Sequence, residues 1–414
     1  MFSKRLFKIL GFRTFIMQLG YTSPFRWDFA TKRLVHSPMY PYWNFKIYTF
    51  YLIMYGILLG IRLAQKSILK HNAILGEDET GETKHRLEPA IMALDIAFIA
   101  IIVCISSILV LIAEFKDQMI EFFNEMVDFD TFLEETFRTN LKSQEKLYKR
   151  TSLVIELLIM MIAVSTLIIP VMFGFFFLQD TEPLHRFFAE VLEVEIKPEL
   201  KCLPQILFVI WSILQCCNVA GLFLSIGVMY MKFVLFWLTA LHPTKILRGG
   251  VGRGSQVKYV TSLGLLDEQT MIKMYRTHQV LNKMFNKFMA NRLLSNHQAG
   301  IQVIIVVCCL ISIQYFEEML YTPGYQVVFL GIFLSLVIVY VETKIVSDAI
   351  TAGDEFRGKI RSLTGRNKEV VKCVVSSWSL KIHVAYPYFT VNRETFLEFV
   401  HRTVEFLVDA LMAD

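Results

Sequence analysis

Charge is scarce in this sequence. Asp, Glu, Lys and Arg make up 19% of its 414 residues, while apolar types make up 54%. Soluble domains carry about 25% charge and about 45–50% apolar residues, so this composition points to an integral membrane protein. No long basic run occurs and the formal net charge is +5, which argues against a nucleic-acid partner. The seven cysteines, Cys104, Cys202, Cys216, Cys217, Cys308, Cys309 and Cys373, form no CxxC and no Cys/His ligand spacing. Five of them sit inside apolar stretches, as small packing residues do. Neither a metal site, a cofactor nor a disulfide framework is expected. No N-x-[ST] sequon is present, and the glycine-rich "RGGVGRGSQ", residues 248–256, lacks the GK[ST] of a phosphate loop. No Ser/His/Asp or metal constellation emerges, so no enzyme is expected. Nor is there an internal repeat of the kind that marks many transporters.

The N-terminus also lacks a signal peptide. "MFSKRLFKILGFRTFIMQLGYTSPF" mixes Lys and Arg into its apolar residues and has no uninterrupted apolar core. It reads as a retained, basic, interfacial segment.

Long apolar runs are what the sequence does have. A membrane-crossing helix needs about 20 mainly apolar residues. Six stretches qualify: 46–64, 90–113, 151–178, 205–238, 299–315 and 325–341. The tail, 391–414, is a possible seventh. Lys and Arg between these stretches set the orientation. Segments 1–45, 114–150, 240–298 and 342–390 hold 30 of them, and the alternate segments hold 7. The richer set is expected in the cytoplasm. The fold class is therefore all-α, a seven-transmembrane helical protein of the plasma membrane with a cytoplasmic N-terminus and an extracellular C-terminus. A G-protein-coupled receptor has the opposite orientation, and no cytoplasmic tail is expected after the last helix. No G protein is implied.

The organisation follows. Residues 1–45 form the N-terminal segment, and 46–238 carry helices one to four with a cytoplasmic extension at 116–150. Residues 239–298 form a second cytoplasmic region, 299–341 carry helices five and six, 342–390 return to the cytoplasm, and 391–414 form the last helix. Met119, Phe122, Phe123, Met126, Phe129 and Phe132 make an apolar stripe on a helix continuing below the second span. Met271, Met274, Tyr275, Leu281, Met284, Phe285 and Phe288 do the same later in the chain. These helices either stabilise one subunit or join several.

The last helix is ordered by angle. At 100° per residue, Glu394, Glu398, His401, Arg402, Glu405 and Asp409 fall within one arc of about 100°. Aliphatic residues and Phe396 occupy the other side. A lipid-facing span would not carry this pattern, because each charge at mid-membrane costs at least about 2.5–3.5 kcal/mol. Either the helix lies on a surface, or it crosses with its polar face toward water in an oligomeric pore. Carboxylates in a pore favour cations. Arg402 has Glu398 and Glu405 in pairing reach, which would weaken that field.

With this layout the chain resembles the arthropod gustatory receptor family, part of the insect chemoreceptor superfamily of taste and odorant receptors. "LGYTSPF", residues 19–25, is similar to the family's Gly...Pro-Phe segment before the first span. Phe389, Val391, Asn392, Arg393 and Leu397 match its F-x-[IV]-N-R-plus-aliphatic stretch. The closing part departs: Glu405-Phe406 stands in place of Thr-Tyr, Met412-Ala413 in place of Gln-Phe, and Asp409 in place of an aliphatic residue. The resemblance implies a tetrameric, homomeric or heteromeric, ligand-gated, non-selective cation channel in membrane lipid. It implies pore lining by Glu394, Glu398, Arg402, Glu405 and Asp409, and assembly through the cytoplasmic helices. It also implies a small-molecule tastant or odorant bound in the outer half of each subunit. Candidates there are Asp95, Phe98, Phe173, Trp211, Gln215, Gln314, Tyr315 and Tyr325. Asp95 stands out as an ionisable residue within a span, with a structural hydrogen bond as its other reading. The aromatics equally suit plain core packing. A non-conducting membrane protein of the same fold, binding a partner or lipid, is the alternative.

Overall fold

The computed structural model describes residues 4–19, 23–75, 88–137, 157, 159, 160, 162, 164, 203–240, 268–314, 326–363, 380–384, 389–392 and 394–412. The elements run α1 (Lys4–Leu19), β1 (Phe25–Asp28), β2 (Arg33–His36), α2 (Met39–Leu75), α3 (Glu88–Phe137) and α4 (Leu203–Ala240). There follow α5 (Glu268–Phe285), a π-helical stretch (Asn286–Leu294), α6 (Ser295–Gln314), α7 (Gln326–Leu363), β3 (His383–Val384), β4 (Phe389–Thr390) and α8 (Thr395–Met412). Most of the expected third span lies outside the described residues. Among the described residues, Met39–Gln65 and Gly221–Leu238 are long and apolar enough to cross a membrane by length and composition.

The helices outrun the apolar stretches that define them. α3 continues for 24 residues past Ala113, bending at Phe115, whose φ of −106° and ψ of 16° leave helical geometry. Beyond that bend its apolar stripe is buried: Met119, Phe122, Phe123 and Met126 are at most 1% exposed. Phe122 meets the rings of Tyr230 at 5.1 Å, Phe288 at 5.4 Å and Phe285 at 6.1 Å. Edge-to-face pairs of this kind add about 0.5–1.5 kcal/mol to plain burial. The two sequence stripes therefore face each other inside one chain, with the end of α4 between them. Phe132 departs from the expectation and is exposed, because the stripe drifts off the packed side at the end of α3.

Polar side chains brace this aromatic knot. The Trp237 indole N–H donates to Asp130 Oδ1 at 2.8 Å. Burial pushes the Asp130 carboxyl up from its ordinary value, and the Trp237 bond pulls the other way. His278 packs against Phe129 and Phe233 at 5.3 and 5.1 Å, with neither ring nitrogen hydrogen-bonded among the described residues. Burial lowers its pKa to about 3, so the imidazole is held neutral.

The N-terminal segment is built into the bundle. Leu10, Arg13, Thr14 and Met17 of α1 are buried. Arg13 Nη1 donates to Ser225 Oγ at 3.3 Å, and Gln215 Nε2 donates to the Ile16 carbonyl at 3.3 Å. Both partners belong to α4, so α1 lies along the fourth apolar helix, while Phe12 and Phe15 on its other side stay exposed. The β1–β2 hairpin turns where Asp28 accepts hydrogen bonds from Ala30 N and Thr31 Oγ1, at 3.0 and 2.6 Å. Lys32 takes the left-handed conformation, with φ of 55°. The hairpin then grips α3: Asn124 exchanges two hydrogen bonds with the Leu34 backbone, at 3.1 and 3.0 Å, and Arg33 pairs with Asp128 at 2.6 Å.

Two outcomes are expected from the knot. Phe122→Ala lowers stability by about 3–5 kcal/mol, read as a fall in the melting temperature of the detergent-solubilised chain. His278 binds a proton in the unfolded chain near the ordinary histidine value of 6.5, but in the folded chain only near about 3. Stability from this site is complete above the unfolded value and is lost as pH falls from about 6.5 towards about 3. His278→Phe flattens that part of the melting-temperature profile.

Candidate functional site

α8 begins with a reciprocal cap. Asn392 Oδ1 accepts the Glu394 N–H at 2.8 Å, and the Asn392 N–H donates to Thr395 Oγ1 at 2.8 Å. This satisfies backbone donors that a helix start leaves open. It gives a physical role to the Asn of the F-x-[IV]-N-R stretch. The Val of that stretch, Val391, is 1% exposed, and its N–H donates to the Ile382 carbonyl at 3.2 Å. β3 and β4 pair antiparallel just before the cap, His383 with Thr390 and Val384 with Phe389. The amides of Asn282 and Asn286 both donate to the Lys381 carbonyl, at 3.0 and 2.7 Å. The start of α8 is thereby tied to α5 and the π-helical stretch.

Past the cap, α8 has three faces. Thr395, Phe399 and Thr403, four residues apart, are buried. Phe399 packs with Ile301 and Ile305 of α6 and Val339 of α7, and Phe396 meets the Tyr340 ring at 5.2 Å. The second face is the charged arc: Glu394, Glu398, His401, Arg402, Glu405 and Asp409 are all exposed. His401 Nε2 lies 3.2 Å from Glu405 Oε1. Among the described residues Arg402 pairs with neither Glu398 nor Glu405, although both stand one turn away and all three are exposed. The third face is apolar and also exposed: Leu397, Val404, Val408 and Leu411. Helical period separates polar from apolar on this helix. It carries no sign that only a narrow part of the apolar side would be covered.

The expected ligand residues are seen unevenly. Asp95, Phe98 and Gln314 lie on α3 and α6, and their side chains are outside the described residues, as are Phe173, Tyr315 and Tyr325 entirely. Trp211 is half-buried on α4. Gln215, one turn further along, is 1% exposed and tied to α1 by its bond to Ile16. Those two are one turn apart on one helix. A cavity of about 50 Å³ lies elsewhere, lined by Gly227, Met231, Phe285, Met289 and Glu342 among others; it suits a water or two. Among the described residues no group of His, Cys, Asp and Glu could hold a metal ion.

No protein-family model and no curated protein matches the chain. Solved structures do. The insect olfactory receptor OR5 of Machilis hrabei, in complex with eugenol, superposes with a TM-score of 0.61 over 99% of this chain and 99% of that one, at 13% identity. A second structure of the same receptor gives 0.59 over 98% of each chain, at 12% identity. The likeness is one of fold: the chain is all-α and shares the seven-transmembrane helical architecture of that receptor.

The cap generates a specific expectation. Asn392→Ala removes the acceptor for Glu394 N–H and costs about 1 kcal/mol. Hydrogen exchange of the amides at the start of α8 rises, while exchange in the Phe122 region stays unchanged.

Proposed function

We propose that this chain is a chemoreceptor subunit of the gustatory-receptor type. Four copies form a ligand-gated, non-selective cation channel in the plasma membrane, with the N-terminus in the cytoplasm. The observation that carries this reading is the three-faced α8. A single chain covers one face and leaves two that require opposite surroundings. The charged face requires water, and Leu397, Val404, Val408 and Leu411 require protein or lipid. An oligomer with α8 at its axis meets both needs: water fills the centre, and neighbouring subunits cover the apolar side. Four carboxylates against one guanidinium on the charged arc of each copy favour cations in that centre. The fold shared with an olfactory receptor supports the same class, and with it a binding protein rather than an enzyme.

The ligand is a small molecule held within the bundle by residues near Asp95, Phe98 and Trp211, with Phe173, Gln314, Tyr315 and Tyr325 as further contacts. Gln215 contributes by holding α1 against α4 beside Trp211. Because Phe122, Met126 and Phe285 are consumed in packing one subunit, contact between subunits below the membrane falls to exposed residues such as Phe132 and Val280.

The test is electrical. Cells expressing the chain are recorded while tastants and odorants are applied, and Glu405→Gln with Asp409→Asn is compared with the parent. The expected outcome is a several-fold fall in inward cation current and weaker block by polyvalent cations. Currents indifferent to both changes would remove α8 from the pore. A stable monomer in detergent, silent in every recording, would favour the non-conducting alternative.

A further inference from the structure

Two lysines from different helices converge on one aromatic ring at the base of α2. The Lys46 ammonium lies 4.7 Å from the Tyr42 ring centre and 5.1 Å from that of Trp43. Lys116, on α3, lies 4.3 Å from the same Tyr42 ring. The ring is stacked on buried Phe45 at 6.5 Å, so the ammoniums gather around a fixed platform by attraction to its π-face. Asp117 is 3.7 Å from Lys116, and it also faces His36 at 3.5 Å. Lys46 is exposed and has no carboxylate partner among the described residues.

The depth of this cluster follows from the apolar stretches. Lys46 opens the first, and Lys116 comes three residues after the second ends at Ala113. Both ammoniums therefore sit at the same rim of the membrane. From that rim an uncovered apolar stripe climbs α2: Trp43, Ile47, Phe50, Met54, Ile57 and Ile61, between 39% and 64% exposed. Steps of three and four residues keep these side chains on one helical face. Tyr40 is exposed one turn below Trp43, and Tyr and Trp favour the level of lipid headgroups.

We infer that this rim is a binding site for an anionic glycerophospholipid. Its phosphate sits between Lys46 and Lys116, Trp43 and Tyr40 flank the headgroup, and an acyl chain lies along Ile47, Phe50 and Met54. Charge complementarity selects the occupant: Asp117 faces Lys116 and His36, and Lys46 pairs with no carboxylate among the described residues, at the depth where a bilayer presents phosphates. A second copy of the chain would have to bring carboxylates to the same point. The site stands on the membrane fold alone and is independent of whether α8 conducts.

Native mass spectrometry of the full chain in detergent tests it, with phosphatidylglycerol, phosphatidylcholine and inorganic phosphate as probes. The parent retains phosphatidylglycerol in preference to phosphatidylcholine. An anionic surface attracts each nearby lysine enough to change affinity about fivefold, so Lys46→Gln with Lys116→Gln loses about 25-fold. Lys46→Arg with Lys116→Arg retains the lipid, and a melting temperature equal to the parent's shows that the double Gln variant has not merely misfolded. Lys273→Gln with Lys283→Gln removes equal charge from exposed positions on α5 and leaves retention unchanged. Equal retention by the Lys46/Lys116 Gln variant, or equal loss in the α5 variant, overturns the site. Equal binding of phosphatidylcholine overturns the anionic selectivity, and tight binding of inorganic phosphate alone overturns the lipid as its source.

Discussion

The packing of Phe122 against Tyr230, Phe285 and Phe288 is the contact on which the rest of the chain depends. It joins α3, beyond the end of its apolar stretch at Ala113, to Tyr230 in the second half of α4 and to the α5–π segment that precedes the fifth apolar stretch. A transmembrane helix gains little from meeting another inside lipid, because lipid tails are as apolar as leucine. Beyond the apolar stretches, water restores the hydrophobic effect, and each buried aromatic ring contributes fully. The bundle is therefore held most firmly at that end.

Position passes from this knot to α8 through polar contacts. Phe285 is in the knot, and Asn282 and Asn286, on either side of it in sequence, hold the Lys381 carbonyl. Ile382 follows at once and accepts from Val391, which precedes the Asn392 cap. The path from aromatic core to the first turn of α8 thus crosses a few short hydrogen bonds. α8 itself touches its own chain through buried Thr395, Phe399 and Thr403, with Phe396 and Val400 partly buried beside them.

The π-helical stretch fits the same scheme. Such segments are rare and cluster at functional sites. Here it lies between α5, on the knot, and α6, which packs on α8, and Asn286 at its start reaches the loop before the cap. At the other end of the chain the buried Arg13 of α1 has a different cost. Its guanidinium is held against Ser225 with two of its nitrogens lacking partners among the described residues, a burial that costs stability.

The all-α class, the membrane setting and the position of most apolar helices were legible from residue order alone, because hydrocarbon forces backbone groups to pair internally and so writes long apolar runs into the chain. The confinement of charge on the last helix to one arc was equally legible, since helical periodicity is local. The stripes of α3 and α5 could be read for the same reason, but not what they touch: Phe122 meeting Tyr230 joins residues over a hundred positions apart. The embedding of α1 along α4 was hidden because Arg13 and Thr14 read as interfacial polar residues until Ser225 and the neighbouring turns supply their partners. That α8 has three faces rather than two came from the packing of the folded chain. A period gives the angle of each side chain, but only the placement of α6 and α7 determines how wide an arc they cover.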